Sequence, residues 1–304
     1  MAPILTVSNL TKRFGEVTAV SDISFTLAKG RSAALLGPNG AGKTTTLSML
    51  CGLLPPTSGQ IALNREEARD RRERIGYLPQ QPVFFNWMTG KEYMQFAGQL
   101  FGLHGKKLTE RADELLERLG LKDAAKRRIG GYSGGMKQRL GIAQAMVHRP
   151  ELLVLDEPVS ALDPVGRREL IDLLREMKEE TNLLFSTHVL HDAEELCDDV
   201  LILNRGSIAL AGALDDLRRM HQKPQIEITS EKSLIDYAAG LTRYPFINSV
   251  KLSEDQCSLS LQVDNREEAR AVLLTELARE AIPVVRFEAS YASLEALFLE
   301  VVGA

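Results

Sequence analysis

The chain has no apolar run approaching the ~18–20 residues needed to cross a bilayer, so any role at a membrane goes through a partner. Its opening, Met1-Ala2-Pro3-Ile4-Leu5-Thr6-Val7, lacks the basic segment and apolar core of a secretory signal. The expectation is a protein that stays in the cytosol. Cysteine is scarce. Cys51, Cys197 and Cys257 are odd in number and widely spaced, which suggests neither a disulfide framework nor a metal site. An excess of positive charge is also missing: the formal net charge is -4, which gives no support for a nucleic-acid-binding surface. What remains is a globular composition, 44 % hydrophobic and 26 % charged, in 304 residues. That length suits a main domain and a smaller second one.

One stretch organises the rest: Gly37-Pro38-Asn39-Gly40-Ala41-Gly42-Lys43-Thr44-Thr45. The apolar run Ser32-Ala33-Ala34-Leu35-Leu36 before it reads as a buried strand, and Thr46 to Leu50 after it as the start of a helix. Strand, glycine-rich loop and helix are the context of a phosphate-binding loop, against the alternative of an ordinary glycine turn. Backbone N–H groups of the loop and the unpaired donors of the helix N-terminus both face the anion. Lys43 is placed to reach the β- and γ-phosphates, and Thr44 to put its hydroxyl on Mg²⁺.

The other informative residues punctuate the chain at strand and helix ends. Leu5 to Leu10, Val17 to Val20 and Ile23 to Leu27 read as strands, with Lys12-Arg13-Phe14-Gly15 a turn. Phe14 either stacks on a base or is a core or edge aromatic. Gln60 to Leu63 is a short strand, and Arg65 to Arg74 a solvated charged segment. Ile75 to Leu78 is a buried strand leading to Gln80, whose amide either completes a metal or water shell or satisfies backbone. Residues 82–135 look mostly helical, with Thr89 a cap, Gly105 to Lys107 a loop, and an amphipathic helix from Thr109 to Leu119 stopped by Gly120. Val83-Phe84-Phe85, Trp87 and Met88 form a patch in a loop, either core or an apolar docking surface. Ser133-Gly134-Gly135 opens a helix, as a second anion site or as simple capping.

Leu152 to Leu155 is an apolar strand that ends in Asp156 and Glu157. Asp156 can hold Mg²⁺ through its water shell, and Glu157 can orient or deprotonate an attacking water. Asp163 caps a helix that starts at Pro164 and is expected to run to about Glu180. His188 leaves the strand Asn182 to Thr187 as Asp156 and Gln80 leave theirs. All three can therefore meet above one sheet edge, where open α/β sheets bind ligands. A hairpin around Asn204-Arg205-Gly206 closes the domain.

With these motifs in this order, residues 4 to 215 resemble the ATP-binding subunit of ABC transporters, most closely the separate ATPase subunits of ABC-2-type exporters. The resemblance implies an α/β fold: a P-loop NTPase with a RecA-like core, an N-terminal antiparallel β subdomain and a helical subdomain at about 88–147. It implies ATP and Mg²⁺ as ligands. Phe14 would stack on adenine, and Gly37 to Thr45 would be the Walker A loop. Gln80 would link Mg²⁺ and water to the transmembrane partner. Ser133-Gly134-Gly135-Met136 would be the signature that meets the ATP of the opposite subunit. Asp156 would end Walker B, Glu157 would be the catalytic base, Ser160-Ala161-Leu162-Asp163 the D-loop, and His188 the switch histidine. Metal contacts would fall to Thr44, Gln80 and Asp156. Tyr132 stands where the signature usually has leucine, and the adjacent Gln80 and Gln81 compete for one role.

The implied partners are a transmembrane permease subunit and a second ATPase, joined head to tail as a homodimer or as a heterodimer with a related subunit. No direct nucleic-acid contact is expected. The expected location is cytoplasmic, peripheral on the inner face of the cell membrane. The alternatives are an import ATPase, a soluble ABC protein acting on nucleic acid or ribosomes, and a regulator that binds ATP without turnover. Translation-type members carry two ATPase domains and repair-type members a long coiled-coil insertion, and neither is seen here. The intact Glu157 and His188 oppose the non-hydrolysing reading. The ATPase domain is placed at 1–220, with a small C-terminal α/β domain at 221–304. In that small domain strands are expected at 225–229, 257–263 and 284–287. Helices are expected near 233–240, at 266–279 and at 293–301.

Overall fold

Apolar residues alternate along Leu5-Thr6-Val7, and the same period recurs in Ile23-Ser24-Phe25-Thr26-Leu27. The computed structural model describes residues 3–64, 71–160, 162–220, 224–241 and 243–291, with Phe298 and Val301. These alternating stretches are the inward faces of β1 (Pro3–Phe14) and β2 (Val17–Ala28). The two strands pair antiparallel, Phe14 opposite Val17, so Phe14 closes a strand rather than sitting in the expected turn.

β3 (Ser32–Leu36) is buried at every residue and leads through the glycine loop into α1 (Lys43–Leu50). β4 (Ser58–Leu63) completes a three-stranded antiparallel sheet, order β2-β1-β4. β5 (Ile75–Leu78) follows. Of the expected charged segment, residues 65–70 lie outside the described residues.

The helical region opens at α2 (Gly90–Leu100), where Thr89 and Glu92 form a reciprocal capping box. Next come α3 (Gly105–Arg118) and α4 (Gly134–Met146). α3 begins at Gly105, earlier than expected. No side-chain cap marks that start, because His104 makes none, so the sequence there looks like loop. Leu108, Ala112, Leu115 and Leu116 form its buried stripe. Residues 82–89 are not helical.

The second half of the core adds β6 (Leu152–Asp156), α5 (Pro164–Met177), β7 (Asn182–Thr187) and α6 (Leu190–Leu196). β8 (Asp199–Asn204) and β9 (Ser207–Ala213) form the closing hairpin. α5 stops at Met177, short of Glu180. The six-stranded sheet runs β5-β6-β7-β3-β8-β9, parallel throughout except for β9. Every residue of β3, β6 and β7 is buried. Strands of a parallel sheet are covered on both faces, so they read as unbroken apolar runs rather than alternating ones.

The chain divides into two units, Met1–Leu214 and Asp215–Ala304, and the boundary falls at the first residue of α7 (Leu214–Met220). The second unit contains β10 (Pro224–Ser230), α8 (Ile235–Leu241), β11 (Ile247–Leu252), β12 (Ser258–Val263), α9 (Arg266–Arg279) and β13 (Val284–Tyr291). Its sheet order, β11-β12-β10-β13, is antiparallel throughout, which makes it a βαββαβ unit of ferredoxin-like form. Ile226, Ile228, Leu259, Leu261 and Val263 share one buried face with Leu273 and Leu277 of α9. Asn265 caps α9, accepting from Glu267 N and Glu268 N. Most of the expected last helix, 293–301, lies outside the described residues.

Candidate functional site: one carboxylate at the meeting of four strand ends

β5, β6, β7 and β3 are parallel neighbours, so their C-terminal ends lie along one sheet edge. Each end releases a polar side chain. They converge on Glu157, the first residue past β6. Its Oε2 accepts from Gln80 Nε2 at 3.2 Å. Its Oε1 lies 3.3 Å from His188 Nδ1 and 3.8 Å from Lys43 Nζ. Both Gln80 and Gln81 are exposed, and it is Gln80 that reaches this carboxylate. The Lys43 side chain is only 6 % exposed, and its Nζ donates to Gly37 O at 2.8 Å and Pro38 O at 3.2 Å. Burial pushes its ammonium below the usual lysine range, while the charges of Glu157 and Asp156 oppose that shift. The His188 side chain is half exposed and faces both the carboxylate and solvent.

The loop that delivers Lys43 is pressed against its neighbours. A Cβ on Gly37 would lie 2.4 Å from Leu203 O, and one on Gly42, at φ +103°, 2.6 Å from Ala19 O. Only glycine passes at both points. Ala41 O accepts from Gly206 N at 3.1 Å, which ties the loop to the β8–β9 turn. Asn39, Gly40 and Thr44 are exposed, Pro38 and Thr45 are partly so, and Ala41 is buried. Phe14, half exposed, has Lys12 Nζ 5.1 Å from its ring centre.

Asp156 is fully buried. Its Oδ1 accepts from Ser186 Oγ at 2.5 Å, and its Oδ2 has no hydrogen-bond partner. Such an atom needs a ligand, because a buried unpaired carboxylate oxygen is costly. Among the described residues there is no cluster of three or more His, Cys, Asp or Glu able to hold a metal. Mg²⁺ does not require one. It binds through one or two carboxylates and keeps waters and substrate phosphates for the rest. The residues present therefore fit a nucleoside triphosphate with Mg²⁺: backbone donors and Lys43 for the phosphates, and Thr44, Gln80 and Asp156 around the metal.

Ser186 was missed in the sequence. It sits in the apolar run Leu183-Leu184-Phe185, and its only signal was a hydroxyl two residues before His188. The turn carrying His188 is fastened by Asp192, 1 % exposed. Its Oδ1 takes Arg167 Nε at 2.9 Å and Nη2 at 2.6 Å, and its Oδ2 takes Thr187 Oγ1 at 3.3 Å. Replacing Arg167 with alanine leaves that carboxylate without its charged donor. The expected loss is about 1–3 kcal/mol, read as a lower thermal midpoint. Unchanged melting would remove the pair from the account of this turn.

Ser133 lies elsewhere. It caps α4 by accepting from Met136 N at 3.2 Å. With Gly134, Gly135, Leu162, Asp163 and Gly166 it lines an open cavity of about 450 Å³ that includes none of the residues gathered at Glu157. Asp163 caps α5 through Gly166 N at 2.7 Å. Ala161 lies outside the described residues. Tyr132 is buried, its hydroxyl donating to Ala124 O at 2.7 Å, so the departure from leucine is absorbed in the core.

A parallel sheet with a lysine loop after one central strand, and an acid pair after another, defines a P-loop ATPase. Comparison with known proteins gives the family. A model described as "ABC transporter" matches residues 20–160, and one described as "ATP-binding protein DrrA1-3-like, C-terminal domain" matches 212–302. The "Uncharacterized ABC transporter ATP-binding protein YxlF" of Bacillus subtilis (strain 168) is 46 % identical over 99 % of this chain and 100 % of its own length. The "Linearmycin resistance ATP-binding protein LnrL" of the same strain is 33 % identical over 99 % of this chain and 98 % of its own. A solved structure described as "Structure of ATP binding subunit of ABC transporter" is 33 % identical with a TM-score of 0.65, covering 71 % of this chain and 92 % of that one. The chain belongs to the ATP-binding subunits of ABC transporters. It is an ATPase subunit coupled to a transmembrane partner, and no described helix is long and apolar enough to cross a membrane itself.

Proposed function

We propose that this ATPase powers export through a separate permease, as a head-to-tail homodimer held at the inner face of the membrane. The observation that carries the catalytic part is the convergence of Gln80, Lys43 and His188 on Glu157. Bound ATP·Mg²⁺ supplies the phosphoryl group and the charge that polarises it. Lys43 and the backbone donors of residues 37–45 bind the phosphates, and Phe14 offers its exposed ring to the base. Thr44, Gln80 and Asp156 hold the metal and its waters. Glu157 takes the proton of the attacking water, with His188 beside it orienting the γ-phosphate. Ser133, Gly134 and Gly135 close over the nucleotide of the opposite subunit. Export is supported by the description of LnrL, similar over nearly the whole chain, as a resistance protein, and by the DrrA-like C-terminal match.

Affinity purification from membranes tests direction and partner together. Export predicts a co-purifying permease without an extracytoplasmic binding protein. Recovery of such a binding protein points to import. A second, related ATPase in the complex replaces the homodimer with a heterodimer.

The loop after Gln80 is the proposed handle on the permease. Phe85 packs edge-on to Phe96 with ring centres 5.7 Å apart, and Trp87, 69 % exposed, stands 6.0 Å from Phe85. Phe84 instead meets Tyr93 edge-on at 5.0 Å and is only partly exposed. The cluster therefore has a rooted side and an open side. Trp87→Ser and Phe85→Ser are expected to weaken recovery of the permease while ATP binding by the isolated subunit persists. Unfolding of the isolated Trp87→Ser subunit would return the cluster to the core.

A further inference from the structure

The hydroxyl of Ser186 is engaged in two directions, and both lead to the acid pair. It donates to Asp156 Oδ1 at 2.5 Å and accepts from Glu157 N at 2.9 Å. Glu157 N also lies 3.2 Å from Ser186 O, so one N–H is shared between the carbonyl and hydroxyl of the same residue. Ser186 is fully buried and pairs across the sheet with Asp156 on one side and Leu35 on the other.

The clamp matters because of what it holds. Glu157 has φ +48°, a left-handed conformation that is strained for a non-glycine residue. Such a conformation persists only where its surroundings fix it, and the doubly accepted N–H is the fixing contact on this residue's amide. Asp156 has two carboxylate oxygens. Ser186 occupies one, and the other has no partner. The hydrogen bond to one oxygen fixes the orientation of the carboxylate, and with it the direction in which the open oxygen points.

We infer that Ser186 is a positioning residue for the ATPase centre: its one hydroxyl sets which oxygen of Asp156 is free for Mg²⁺ and fixes the backbone from which Glu157 projects. The inference rests on the assignment of Asp156 to the metal shell. Partners of metal ligands, when removed, typically lower metal affinity or activity by about 10–100-fold.

The test reads metal use without turnover. ADP affinity is measured by calorimetry with Mg²⁺ and with EDTA, and the ratio of the two is the metal dependence. In Ser186→Ala the expected ratio falls toward one, with ADP affinity in EDTA unchanged and kcat for ATP lowered about 10–100-fold at saturating nucleotide. A ratio equal to the wild type's in Ser186→Ala overturns the inference. Should that variant fail to fold, Ser186→Thr and Ser186→Val decide, since they share a shape and differ in the hydroxyl. Threonine closer to wild type than valine supports the clamp, and equal ratios overturn it. Asp156→Asn separates this from the underlying reading: if its ratio matches the wild type's, the metal assignment itself fails.

Discussion

Glu157→Gln is expected to lower ATP turnover by roughly 10²–10⁴-fold while nucleotide binding persists, the range a general base supplies. The change is nearly isosteric. The introduced amide keeps an oxygen to accept from Gln80 Nε2, the contact made now at 3.2 Å. It cannot accept a proton from water, and it loses the charge that lies 3.8 Å from Lys43 Nζ. Binding is spared if, as proposed, the phosphate contacts belong to the loop and to Lys43. If the proposed head-to-tail dimer opens only after hydrolysis, dimers accumulate in ATP. Phosphate release gives the first quantity and light-scattering mass the second. Turnover within a few-fold of wild type would take the base role away from Glu157.

Two inactive variants are expected to restore activity when mixed. Lys43→Ala removes the ammonium from the phosphate loop, and Ser133→Arg places a bulky cation at the cap of α4. In the folded chain these residues lie in separate clusters, Lys43 beside Glu157 and Ser133 in the cavity with Gly135 and Asp163. If each ATP is held by Lys43 of one subunit and Ser133 of the other, either homodimer has one defect in both sites. The mixed dimer gathers both defects into one site and leaves the other whole. ATPase rate against mixing ratio then peaks near equal amounts, with subunit exchange followed separately. A straight line between the two mutant rates, with mixed dimers shown to form, means that both sites must be intact or that the sites are not shared. A linked dimer carrying wild-type Lys43 and Ser133 at a single site distinguishes these.

Where residues stand at strand ends, the sequence was enough to pick out those that the fold brings together at Glu157. Gln80, Glu157 and His188 each follow an apolar run, and a parallel sheet necessarily brings the ends of adjacent strands together. Thr89 and Asp163 announced their helices because a short polar side chain before an apolar period has few other uses. The start of α3 gave no such notice, since Gly105-Lys106-Lys107 follows an uncapping His104. β11 escaped because its alternation is interrupted: a register shift falls between Ile247 and Ser249 where it pairs with β12. Without that strand the second unit could be read as α/β but not as βαββαβ. Ser186 escaped for a different reason. Its importance lies in the direction of one hydroxyl toward a residue 30 positions earlier, and local pattern carries no such vector.

The same arrangement of strand ends governs when a newly made chain becomes an enzyme. Glu157 meets Gln80 across 77 residues and His188 across 31, so the reactive cluster has no local precursor. Contacts of such range form late, after the entropy of closing long loops has been met. During synthesis the phosphate loop leaves the ribosome first, while β6 and β7 are still unmade. A chain paused at that stage has a lysine and a glycine-rich turn, but neither a base nor its histidine. The cluster at Glu157 is therefore incomplete until β7, which lies between β6 and β3, has been made and has taken its place.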